Sequence, residues 1–121
     1  MIETDVQSTI RIRAVGVGMH LWRNNVGVLL DKTGRPVRYG LGNDSAAVNS
    51  KVKSSDLVGW WAPHAVFCSI ECKKTGWTYA GGDREIAQKA WIDLVRKGGG
   101  FGCFATCWED VEREMALYDQ G

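Results

Sequence analysis

The chain lacks any apolar run near the ~20 residues that a membrane-spanning helix needs. Its first residues, MIETDVQSTIRIR, carry acids and no apolar core of the kind that directs secretion. A cytoplasmic protein is therefore expected, in the cytoplasm of whatever cell hosts it. There is no block of like charges and no acidic or basic tail. Fifteen Lys and Arg stand against fourteen Asp and Glu, a net charge of +1. Overall charge gives no reason to bind nucleic acid, so a nucleic-acid partner would have to meet a local basic face. Histidine is scarce: His20 and His64 stand alone, neither beside a second His or Cys at ligand spacing. Internal repeats and low-complexity segments are also missing.

Four cysteines, Cys68, Cys72, Cys103 and Cys107, form two C-x3-C pairs. Both pairs fall in runs that read as strands. Residues four apart on a strand are separated by roughly 13 Å, whereas a Zn–S bond is about 2.3 Å. One zinc ion cannot gather all four, and they are expected as small buried thiols in a reducing compartment.

What is present is a chain of 121 residues, 45% hydrophobic, enough for a single domain over residues 1–121 with one core. Ile2, Val6, Ile10, Ala14 and Val17 recur at helical spacing, predicting a helix over residues 2–17 with Glu3 and Gln7 on its flank. Residues 26–41 read as a hairpin around Asp31-Lys32-Thr33-Gly34. Residues 42–55 are small and polar and read as a mobile loop. A central strand is expected over Val66–Lys73, a second loop over 74–83, and a helix over Arg84–Lys97. That helix would be capped by Asp83 and would bury Ala87, Ala90, Trp91, Leu94 and Val95. Gly98-Gly99-Gly100 stops it. Phe101–Cys107 reads as a last strand, and Thr106-x-x-Glu109 as a capping box opening a final helix. A strand, a helix and a strand in succession imply parallel pairing and a mixed central sheet flanked by helices, an α/β fold.

The chemistry gathers at the central strand. Residues two apart on a strand share a face, so Glu71 and Lys73 project together. Asp56 lies just upstream in sequence. Two carboxylates and a lysine at one strand end can bind a hard divalent cation and activate a water. Each residue has a plainer reading. Glu71 and Lys73 can be a surface ion pair, Asp56 a turn cap, Glu3 a helix-dipole partner and Gln88 a solvent-exposed residue. The strand's apolar character argues against the first, because charges in a central strand need partners or a task.

Asp56, fourteen residues, Glu71, one residue, Lys73 resembles the PD-(D/E)XK nuclease motif. Further elements narrow the likeness: Glu3 and Gln7 on the first helix, Arg23-Asn24-Asn25-x-Gly27, Ser55-Asp56-Leu57, Ile70-Glu71-x-Lys73, and Gln88-x-x-Trp91 followed by Gly98-Gly99. In this order, from Glu3 to about Trp108, they resemble the VRR-NUC family of virus-type replication-repair nucleases. The resemblance implies a restriction-endonuclease-like αβββαβ core. It implies an Mg²⁺- or Mn²⁺-dependent endodeoxyribonuclease that hydrolyses phosphodiester bonds in branched DNA, in the manner of a Holliday-junction resolvase. Asp56, Glu71 and the carbonyl of Cys72 would hold the metal, with Lys73 orienting the attacking water. Gln88 would abut the lysine, and Glu3 would add an acid. Asn25 would line the pocket more loosely. A four-way junction takes two symmetric cuts, so a homodimer is expected, joined through the hairpin 26–41 and nearby aromatics. Two other classes share this core: a non-catalytic DNA-binding or assembly module, and a restriction-type enzyme cutting duplex DNA. Lys51, Lys53 and Lys74 would rim the site, and Arg11, Arg13, Arg35 and Arg38 are further phosphate contacts to test. Trp60, Trp61 and Trp77 flank it, to stack on bases or to pack.

Overall fold

The computed structural model describes residues 1–120. Its elements are α1 (Glu3–Val15), β1 (Met19–Arg23), β2 (Gly27–Leu30), β3 (Pro36–Tyr39), α2 (Ala46–Lys51), β4 (Leu57–Trp61), β5 (Val66–Cys72), α3 (Asp83–Lys97), β6 (Phe101–Ala105) and α4 (Trp108–Gln120). Four strands form one mixed sheet in the order β1-β4-β5-β6. The first two pairings are antiparallel. The last, between β5 and β6, is parallel and bridged by α3, as the strand–helix–strand pattern requires. No helix among the described residues is long and apolar enough to cross a membrane.

Side-chain alternation sorts the layers. Leu21, Leu57, Cys68, Ile70, Cys72, Cys103 and Ala105 point to one face. There they meet Val6, Ile10 and Ala14 of α1 and Trp108 and Val111 of α4, closing the main core. α3 covers the β5–β6 half of the other face. Trp91 donates its indole N–H to Ser69 Oγ at 2.8 Å, and Ile92 is buried. From Cys68 to Cys72 β5 is thus covered on both sides, which explains the apolar character of that run, while Phe67 stays exposed beside Trp60. The β1–β4 half of the α3 face has no cover, and Trp22 and Trp60 lie there exposed with ring centroids 4.5 Å apart. Trp61, one residue on, turns inward against the core, so the adjacent tryptophans do face opposite ways.

Gly59 is fixed by this sheet. A Cβ there would sit 1.7 Å from the carbonyl oxygen of His20 on the neighbouring strand. β2 and β3 form a separate ribbon outside the main sheet. Two asparagines tie it down. Asn43, buried, donates to the carbonyls of Gly27 and Tyr39, the paired residues at the ribbon's base. Asn24 donates to Ser54 Oγ and the Ser55 carbonyl and accepts from the Leu41 amide.

Several local expectations need correction. Residues 42–55 are not one loop: Ser45 caps α2 by accepting from the Val48 amide. Gly82, not Asp83, is the N-cap of α3. On α3, Leu94 is 56% exposed while Gln88 is buried, so the helix is rotated from its expected stripe toward a polar partner. β6 ends at Ala105, and Cys107 lies in the turn beyond it. Thr106 gives both its amide and its hydroxyl to Asp110 rather than to Glu109. α1 stops at Val15, and Val17 sits in the turn before β1. All four cysteines are free. Burial pushes the Cys68 thiol up to about 12, consistent with an inert core group.

Candidate functional site

The antiparallel register pairs Leu57 with Ile70. One step further along the same ladder, Asp56 falls beside Glu71. The Asp56 carboxylate accepts the Cys72 backbone N–H at 3.0 Å, occupying the ladder position where β4 begins. In a strand, a residue's N–H and C=O leave on the same side. The Cys72 carbonyl therefore projects toward Asp56 as well. Three oxygen donors gather at one corner of the sheet: Asp56, Glu71 and the Cys72 carbonyl.

Glu71 is 5% exposed. Its carboxyl is raised to about 10, first by burial, then by a hydrogen bond to Asp56 and by that residue's charge. Lys73 and Arg84 pull it back only in part. Without a cation, Glu71 keeps its proton and donates to Asp56. Two carboxyl groups this close at the edge of a cleft are a donor set that can hold a positive ion. Hard oxygen ligands of this kind suit Mg²⁺ or Mn²⁺. Among the described residues no three His, Cys, Asp or Glu side chains converge at ligand spacing, so the side chains offer an acidic pair and not a triad.

Lys73 shares the α3 face of β5 with Glu71. It is 8% exposed, and its Nζ donates to Gln88 Oε1 at 2.9 Å. Gln88 is thus buried as a lysine partner. The site opens into a cleft of ≈330 Å³. Asp56, Glu71 and Gln88 line it together with Asn25, and the ribbon and α2 line the far wall. Three cations reach the cleft: Arg38, Lys53 and Arg84. Arg38 is braced by its Nε–H to the Asn43 carbonyl at 3.0 Å and by its Nη2 to Asn43 Oδ1 at 2.6 Å.

Glu3 is placed differently. It is exposed in the first turn of α1 and does not line the cleft. α1 does begin at the same end of the sheet, since Met1 bonds Thr75 through both its amino group and its carbonyl. The charge of Glu3 contributes, after burial, Asp56, Glu71 and Cys103, to raising the Cys72 thiol. Arg11 and Arg13 are engaged away from the cleft, with the Leu21 carbonyl and the Trp108 ring. Neither Lys51, Lys74 nor Arg35 lines it.

Sequence reading overlooked Arg84 and Asn43. Arg84 was detectable, because it lies one helical turn before Gln88 and on the same flank of α3. Asn43 carried no such mark, since its partners are set by how the ribbon folds back.

No protein-family model, curated protein or solved structure matches this chain.

The Glu71 carboxyl yields a prediction. Its folded value lies above its unfolded one, so its stabilising contribution is complete below about pH 4.5 and is lost as pH rises toward about 10. Glu71→Gln has no proton to lose. In EDTA, its stability relative to wild type should rise by up to about 4 kcal/mol between pH 5 and pH 8, read by urea denaturation. A constant difference across that range would contradict the assignment.

Proposed function

We propose that this protein is a metal-dependent endodeoxyribonuclease that hydrolyses phosphodiester bonds in branched DNA. The observation that carries the reading is the pairing of Asp56 with the buried Glu71 in a cleft with cationic walls, with Lys73 buried behind them on the same face of the sheet and bonded to the cleft residue Gln88. The element order supports it. Leaving out the ribbon and α2, the chain runs helix, three antiparallel strands, helix, parallel strand. That is the αβββαβ order of a restriction-endonuclease-like core. The sequence resemblance to VRR-NUC nucleases points the same way.

Each residue has a task in this reading. Asp56, Glu71 and the Cys72 carbonyl would hold Mg²⁺ or Mn²⁺. When bound, the ion lowers the pKa of a water and neutralises charge developing on the phosphate. Lys73 places its ammonium against the scissile phosphate and orients the water. Gln88 fixes Lys73 by accepting one of its three N–H bonds. Arg84, Lys53 and Arg38 meet the phosphates on either side. Water oxygen bonds to phosphorus and gives up a proton, the bond to the leaving oxygen breaks, and that oxygen takes up a proton in turn, so that no net proton is gained or lost by the protein.

The partner is DNA, and a second copy of the chain completes the assembly. Leu29 is 64% and Leu30 72% exposed on the ribbon. Apolar side chains lie on both of its faces, although a lone two-stranded ribbon is marginally stable in water. A two-fold dimer through this ribbon and the Trp22–Trp60 patch covers them and presents two cutting sites to a four-way junction.

Two results follow. A labelled four-way junction should be cut in Mg²⁺ or Mn²⁺ and left intact in EDTA, with Lys73→Ala slower by about 10²-fold or more. Equal cutting of linear duplex would remove the preference for branches. DNA binding without any cutting would leave a non-catalytic module. Sedimentation should show a dimer that Leu30→Asp converts to monomer, whereas a monomeric wild type would rule out the proposed assembly.

A further inference from the structure

Lys73 is a buried ammonium without an acid partner. The ion pairs among the described residues, Lys89–Asp93, Arg96–Glu114 and Asp110–Arg113, do not include it. Gln88 accepts one of its N–H bonds. Its other close neighbour is the face of an indole. Lys73 Nζ lies 5.5 Å from the centroid of the Trp77 ring, inside the ~6 Å over which a ring quadrupole attracts a cation.

Trp77 is itself held in place by three elements. The loop before α3 folds around Glu85. One Glu85 oxygen accepts the Trp77 indole N–H at 2.7 Å, and the other accepts the amides of Ala80 and Gly81 at 2.9 Å each. The ring stacks on Phe104 of β6, with centroids 5.0 Å apart and planes at 26°. Tyr79 meets it edge-on at 87°. Phe104 is the residue that the parallel register pairs with Glu71. The indole is therefore braced from β6 and α3 and laid against the lysine of the acidic corner.

The geometry points to Trp77 as a positioning residue for Lys73, an inference that rests on the nuclease reading. A carboxylate in its place would fix the ammonium and cancel its charge. An aromatic face attracts the cation without supplying a counter-charge, so the field that Lys73 exerts on an incoming phosphate survives. With one N–H committed to Gln88, the remaining donors are free for a phosphate oxygen and the attacking water. Trp77 touches neither of these. It acts through the lysine.

The test compares Trp77→Phe, which keeps a weaker face, with Trp77→Leu and Trp77→Met, which fill space without a ring. Junction cleavage should show kcat falling about tenfold in Leu and Met and no more than about threefold in Phe, with KM within about twofold of wild type. Thermal melting checks that each variant is folded, and the Met variant stands in if Leu is not. In protein carrying ¹³Cε-lysine, the Lys73 methylene should be shifted upfield by the ring in wild type and Phe, and should return to the ordinary lysine position in Leu and Met. Unchanged kcat in folded Leu or Met, a loss confined to KM, or Phe as slow as Leu would overturn the inference. A wild type that cuts no DNA would sink the nuclease reading and this inference with it. An active wild type beside an equally active Trp77→Met would sink this inference alone.

Discussion

Glu71 is carried into the interior by the buried half of the central strand, from Cys68 to Cys72, and the rest of the site answers that constraint. α1 and α4 close one face of β5 and α3 packs over the other, leaving the carboxyl only 5% exposed where it meets the cleft. A buried carboxylate is costly unless it is paired. Asp56 is held beside it by the Cys72 amide, which aggravates the problem by adding a second acid. In the absence of a cation the pair answers by keeping a proton. In the proposed reading a divalent ion would relieve the desolvation of both acids together. Lys73 and Arg84 lessen the charge but do not cancel it. This conflict is what structural ion pairs avoid, and sites that use charge put up with it.

The second structural theme is how the cleft gets its far wall. β2 and β3 pair as strands with each other, outside the main sheet, and bury little. Asn24 and Asn43 convert a free ribbon into a wall by bonding its base to the segment between it and β4. Asn43 also braces Arg38, so the residue that closes the ribbon aims one of the cleft's cations. α2 packs against α3 and brings Lys53 to the same opening, its backbone N–H bonded to the Ala87 carbonyl.

The parts of this that the sequence made legible are those encoded by local periodicity. The alternation in β5 put Glu71 and Lys73 on one face, and the α3 face is where they lie. The β5–α3–β6 unit followed from the order of apolar runs. Asp56 was placed near them by motif, and the register explains why: Leu57 opposite Ile70 leaves Asp56 opposite Glu71. Less could be read where contacts are distant in sequence or where composition is bland. α2 has no apolar stripe, only a serine cap and two alanines, so its segment read as a loop. The stripe of α3 was misjudged at Gln88 and Leu94, because a buried amide is explained by its lysine partner fifteen residues away and not by helical spacing. Asn43 carries four hydrogen bonds that no pattern announces.

The central claim is that the Asp56–Glu71 corner is a divalent-cation site. Crystals soaked in Mn²⁺ and measured where manganese scatters anomalously test it most directly. The account predicts a single strong peak between the Asp56 and Glu71 carboxylates, about 2–2.3 Å from their oxygens and from the Cys72 carbonyl. A cleft without a peak, with Glu71 still hydrogen-bonded to Asp56 at saturating Mn²⁺, would contradict it.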